Sequence, residues 1–186
     1  NVGRLMNFLD DKGLANNTIL IFFTDNGSGE FMYRGGKISY YDGGTRVPSF
    51  VRWPAGGLGG GEGQGRDVTA LTAHMDWLPT LMDILGLKDV PNRPEQLNMH
   101  GQSFKNFLDT DSSNDPGPEF KNRKVTICNM RKENFEKYRH LSVKKDEWAG
   151  DEIAHKWRLT RSGAKSEWEL WDVLTDKMQT KNLSGD

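Results

Sequence analysis

Val2, Leu5, Met6 and Leu9 recur at the i, i+3, i+4, i+7 spacing of an amphipathic helix, and Gly13 stands where such a helix would stop. Thr18 to Phe23 is β-branched and aromatic. Its run of consecutive rather than alternating apolar positions predicts a central strand, covered on both faces in a parallel α/β sheet. Thr24-Asp25-Asn26-Gly27 follows at once, which puts polar groups at the strand's carboxyl end, where open α/β sheets bind ligands. Phe31 to Gly44 reads as a glycine-rich loop, Val47 to Pro54 as a short strand closed by proline, and Gly56 to Gly65 as a surface loop. From Thr69 to Leu87 the apolar residues return to helical spacing. Pro79 predicts two helical pieces meeting near Trp77, with Asp76 as the cap of the second.

Asp109 to Glu119, acidic and rich in serine, proline and glycine, reads as a linker. Strand patterns follow at Lys124–Cys128, Lys156–Thr160 and Glu169–Val173, read together as a small antiparallel unit. The expected organisation is therefore an α/β portion over 1–108, a linker over 109–121 and an antiparallel β subdomain over 122–186.

Composition narrows the function without choosing it. The 25 lysines and arginines balance 26 aspartates and glutamates over 186 residues, so no net field favours nucleic acid or an anionic membrane. No apolar run approaches the roughly 20 residues of a membrane span. The one cysteine, Cys128, has apolar neighbours in Val125-Thr126-Ile127 and reads as a buried thiol. The helix pattern begins at the first residue, and we expect the chain to be a piece of a longer protein.

Asp25 and Asn26 offer one anionic and one neutral oxygen, both hard donors suited to calcium or magnesium. Asn26-Gly27 is also a favoured turn dipeptide, so the pair taken alone reads equally as a turn. Lys37, in Arg34-Gly35-Gly36-Lys37, adds a point charge where glycines let backbone come close to a ligand. A cation and a lysine that share one anion polarise it from two sides, the arrangement that stabilises a transferring sulfuryl or phosphoryl group.

The order and spacing of Asn17–Gly27, Gly36-Lys37, Tyr41-Asp42-Gly43-Gly44-Thr45-Arg46-Val47-Pro48, Trp53-Pro54, Asp76–Gly86, Gly101-Gln102-Ser103-Phe104, Lys156-Trp157-Arg158-Leu159 and Glu169–Val173 resemble the sulfatase family of the alkaline-phosphatase-like superfamily. The resemblance implies the C-terminal part of a mixed sheet flanked by helices, followed by the small antiparallel subdomain. It implies calcium ligands at Asp25 and Asn26, with magnesium as an alternative, and a sulfate contact with a catalytic role at Lys37. Asp42 stands where relatives carry glutamate, a departure expected to be structural, and Arg46 is expected to brace its loop by pairing with a carboxylate. No histidine is carried over.

Sulfatases use a formylglycine made from the cysteine or serine of a Cys-x-Pro-x-Arg motif. Cys128-Asn129-Met130-Arg131 does not match it, so the resemblance puts that nucleophile upstream of this chain and makes the chain alone inactive. The implied substrate is a sulfate ester, with carbohydrate, steroid and aryl sulfates all compatible. The implied location is periplasmic, extracellular or lysosomal. Two other readings stay open: a phosphomonoester or phosphonate ester hydrolase of the same superfamily, and a non-catalytic metal-binding or interaction module.

Overall fold

The computed structural model describes residues 1–28, 32–58, 65–87, 99–108, 117–128, 140–163 and 165–185. Helix α1 (Val2–Asp11) ends as the pattern requires, with Gly13 at φ 65 just beyond Lys12. Strand β1 (Leu20–Phe23) follows, then the short helical turn α2 (Asp42–Thr45) and strand β2 (Ser49–Arg52).

β1 corrects the first expectation. It pairs antiparallel with β2, Leu20 opposite Arg52 and Phe23 opposite Ser49, in a two-stranded sheet. Phe22 and Phe23 are 40% and 47% exposed rather than covered on both faces. An unbroken apolar run carries no information about the direction of pairing, and the expectation of a parallel neighbour fails for that reason.

The Thr69–Leu87 pattern is helical only from His74. A 3₁₀ turn, His74–Asp76, leads into α3 (Trp77–Ile84), so two pieces do meet at Trp77, with Pro79 in the first turn of the second. α4 (Lys105–Leu108) and α5 (Gly117–Lys121) complete the helices among the described residues. α5 replaces the last part of the expected linker; residues 109–116 lie outside the described residues. Leu58, Phe104, Leu108 and Phe120 form the apolar core, with Trp53, Trp77 and Phe107 packed against it.

Asp76 stands at the N-cap position of α3 but makes no side-chain cap bond to it, contrary to expectation; its carboxylate is used elsewhere. Fully buried, it accepts hydrogen bonds from the N–H of Ala73 (2.6 Å) and of Gln102 (2.9 Å). Its two oxygens meet both terminal nitrogens of Arg123 at 2.6 and 2.7 Å. A bidentate pair of this kind ties α3 to the residues entering the C-terminal sheet.

That sheet is antiparallel throughout, in the order β3 (Val125–Cys128), β4 (Leu141–Ala149), β5 (Glu152–Arg161), β6 (Glu169–Asp172). Cys128 closes β3, and its side chain lies outside what is described. β4 has no counterpart among the expected strands. The register puts Ser142 opposite Thr160, Lys144 opposite Arg158 and Asp146 opposite Lys156. Residues two apart on a strand share a face, and all six are buried. The sheet therefore turns a polar, charged face inward, against α2 and the segment around Thr69.

Candidate functional site

Three segments converge on α2, and glycine makes the convergence possible. Gly43 N–H donates to Arg34 O at 2.8 Å, and Gly27 N–H donates to Gly44 O at 3.0 Å. A Cβ on Gly27 would stand 2.3 Å from Gly43 O, and one on Gly44 would stand 2.3 Å from Gly36 O. Any side chain at either place would push backbone from backbone. The loop carrying Asp25 and Asn26 thus packs on α2 through Gly27, and the loop carrying Lys37 packs on the same four-residue turn through Gly35 and Gly36.

The local sequence orients these residues further. Thr24 Oγ1 donates to Asn26 O at 3.0 Å, and Asn26 Nδ2 donates to Gly27 O at 3.0 Å, fixing the strand-end turn. Asp25 and Lys37 are exposed and Asn26 is half-buried. Among the described residues no group of three or more His, Cys, Asp or Glu side chains comes together as a metal site. Asp25 and Asn26 are adjacent oxygen donors rather than a complete coordination sphere.

Asp42 is structural, as its place in the sequence suggested. It is 1% exposed, and its Oδ1 accepts from Lys144 Nζ at 2.7 Å and from Arg158 Nε at 3.1 Å. Burial works against its ionisation, but the two cations outweigh burial and hold the carboxyl below the usual range. Lys144 Nζ also donates to Thr45 Oγ1 at 2.6 Å, so both ends of α2 are fastened to the sheet. Beside this group Lys156 Nζ binds Asp146 Oδ2 at 3.0 Å and Thr69 O at 2.6 Å. Tyr41, just before α2, donates to Glu169 Oε2 at 2.9 Å, and burial with the Tyr40 and Glu169 contacts pushes its phenol well above 10.

Arg46 departs from expectation. Its guanidinium lies 5.1 Å over the Tyr33 ring, and no carboxylate among the described residues pairs with it. His74 and His100 are exposed, while His155 Nδ1 lies 2.8 Å from Asp172 Oδ2.

Sequence reasoning missed Lys144, Arg158 and Gln179. Gln179, 1% exposed near the end of the chain, accepts from Asp42 N–H through Oε1 at 3.1 Å and from Arg34 through its backbone O at 3.0 Å. The available signal was the period-two placing of Ser142, Lys144 and Asp146, which reads as a strand once polar residues are allowed inside.

Residues 1–87 match the family model described as Sulfatase. The steryl-sulfatase of Rattus norvegicus is 37% identical over 99 residues, covering 46% of this chain and 16% of that protein. The N-acetylgalactosamine-6-O-sulfatase of Bacteroides thetaiotaomicron is 44% identical over 72 residues, 29% of this chain and 14% of that one. The N-acetylglucosamine-6-O-sulfatase of the same organism is 24% identical over 198 residues, spanning 100% of this chain and 30% of its own length. The chain thus spans under a third of each of these relatives.

Two solved structures share the fold. A sulfatase from Pseudoalteromonas sp. superposes with a TM-score of 0.62 at 19% identity, over 97% of this chain and 36% of its own. A phosphonate monoester hydrolase from Silicibacter pomeroyi gives 0.63 at 22%, over 100% and 34%. The match over residues 1–87 takes in the segments that meet at α2, and that part of the chain resembles the sulfatase family.

Proposed function

We propose that this chain contributes the divalent-cation and sulfate corner of a sulfuric ester hydrolase. Asp25 and Asn26 are read as metal ligands and Lys37 as the residue that contacts the sulfate and takes up charge on the departing oxygen. The observation that carries the reading is the convergence on α2. Glycine contacts bring the strand-end loop of Asp25 and the loop of Lys37 against one short turn, which supports reading the two loops as parts of one site.

The donor chemistry fits a hard cation in kind. Asn26 Nδ2 is committed to Gly27 O, which leaves Oδ1 as the atom for a ligand, beside the exposed Asp25 carboxylate. Calcium takes six to eight oxygens, so these two are part of a set whose other members this reading assigns to the longer protein. A bound calcium would supply Lewis-acid polarisation of a sulfate oxygen. Lys37 keeps a positive charge next to the same group and lowers the cost of negative charge on the ester oxygen. No residue of this chain is assigned the nucleophile, because Cys128 lacks the Pro-x-Arg context that formylglycine formation requires.

The substrate class proposed is a sulfated carbohydrate. The Bacteroides relatives named as hexosamine sulfatases support it, one through its 44% identity and the other through a match along the whole chain. A periplasmic, extracellular or lysosomal location accompanies this reading. The phosphonate monoester hydrolase neighbour supports a second reading, hydrolysis of a phosphonate ester at the same corner.

The test is a titration of the chain with calcium and then with methyl sulfate or methyl methylphosphonate, both monoanionic esters. Lys37→Ala is expected to keep calcium binding and lose sulfate-ester binding. Preference for methyl methylphosphonate would transfer the proposal to the second reading, and anion binding unchanged in Lys37→Ala would end the role assigned to Lys37.

A further inference from the structure

We infer that the C-terminal sheet and tail hold the candidate metal and sulfate corner in shape, with Asp42, Lys144, Arg158 and Gln179 as its positioning residues. This rests on reading Asp25 and Asn26 as metal ligands and Lys37 as the sulfate contact. Three of the four positioning residues lie outside the residues that match the sulfatase family model.

The hydrogen bonds run outward from the sheet. Lys144 on β4 and Arg158 on β5 face each other in register and both grip the Asp42 carboxylate, at 2.7 and 3.1 Å. All three side chains are 5% exposed or less. Asp42 is the first residue of α2, whose last residue, Thr45, takes a second bond from Lys144. The turn is therefore fixed at both ends from one side. From its other side Gly44 O receives Gly27 N–H, one residue from Asn26.

Gln179 closes the second connection. Its Oε1 accepts from Asp42 N–H while its backbone O accepts from Arg34 Nη1, three residues before Lys37. One residue thus ties α2 to the loop of Lys37, in a backbone conformation with φ 49 that the Asp176 turn supports through Gln179 N–H at 3.0 Å. A four-residue helix has too little internal hydrogen bonding to hold a shape alone. Its geometry, and with it the separation of the two candidate ligand loops, is set from the sheet and the tail.

The Asp146–Lys156 pair supplies the control. It sits in the same buried face, with Asp146 2% and Lys156 8% exposed, and binds Thr69 O; it reaches α2 only through Arg158, whose Nη1 lies 3.8 Å from Asp146 Oδ1. The experiment compares Asp42→Asn, Gln179→Ala and Lys156→Met in the full chain by amide hydrogen exchange at Gly27 and by calorimetric titration with calcium chloride. Asp42→Asn and Gln179→Ala are expected to speed exchange at Gly27 by about tenfold or more, as a local opening would. Both should weaken calcium binding by about 10- to 100-fold, the usual range for removing a residue behind a metal ligand. Lys156→Met, which touches α2 only indirectly through Asp146 and Arg158, should change both less than Asp42→Asn does at a temperature where it is folded, and Asp42→Glu should recover most of the loss.

Gln179→Ala removes no charge from the interior and keeps the test open if Asp42→Asn does not fold. Unchanged Gly27 exchange in a folded Asp42→Asn or Gln179→Ala protein, or an equal effect of Lys156→Met, overturns the inference. Faster Gly27 exchange with calcium affinity unchanged would instead uphold the mechanical coupling and defeat its link to the metal ligands.

Discussion

Adding one methyl group at Gly44 should damage this protein more than its size suggests. A Cβ there would stand 2.3 Å from Gly36 O and 2.4 Å from Ser39 O, both backbone atoms. To reach an ordinary carbon–oxygen contact the two segments must part by about 1 Å, and no side-chain rotation can relieve the overlap. Overpacking of this kind costs about 1–3 kcal/mol. With a urea m-value of about 2 kcal/mol/M, Gly44→Ala should lower the unfolding midpoint by about 1 M. Gly3, inside α1, is the matched control, because nothing lies within 4 Å of its added Cβ. Gly3→Ala should therefore gain about 0.5–1 kcal/mol from helix propensity alone. The assay is equilibrium urea unfolding of the three proteins followed by tryptophan fluorescence. A Gly44→Ala protein within about 0.5 kcal/mol of the parent would refute the claim that these loops are in backbone contact across α2.

Breaking the buried Asp76–Arg123 pair with Asp76→Asn or Arg123→Met should cost about 3–5 kcal/mol each, since the surviving group is left buried without its partner. The double variant should cost less than the sum, as a double-mutant cycle by urea unfolding would read. Burial opposes ionisation of Asp172, but bonds from His155 and from the N–H groups of Lys156 and Leu174 prevail and lower its pKa below 3.8. Its stabilising contribution is then complete above pH about 4 and is lost as pH falls through the folded pKa. Asp172→Asn should therefore flatten the acid limb of stability against pH, measured by thermal unfolding between pH 2 and 6. Lys37→Ala should leave the urea midpoint within about 0.5 kcal/mol of the parent, because Lys37 is exposed.

The parts of the fold that follow apolar periodicity were legible in the sequence. α1, its glycine stop and the helical pieces meeting at Trp77 all obey that rule. β4 was not legible, because its inward positions are Ser142, Lys144 and Asp146, which a hydrophobic pattern treats as solvent-facing. The direction of β1 is not encoded in its run, because both faces are apolar whichever way its neighbour points. The candidate ligands Asp25, Asn26 and Lys37 could be named from motif and spacing. What sequence could not supply was the support behind them. Asp42 meets Lys144 and Arg158 across more than a hundred residues, and only the paired register of β4 and β5 brings those two cations to one carboxylate.

The most direct test of the central claim is calorimetric titration of the chain and of its Asp25→Asn variant with calcium chloride. The account predicts weak saturable binding by the parent chain, which holds two of the ligands, and a loss of at least about tenfold in affinity in the variant, whose urea midpoint should not move because Asp25 is exposed. Equal calcium affinity in the two proteins would contradict it.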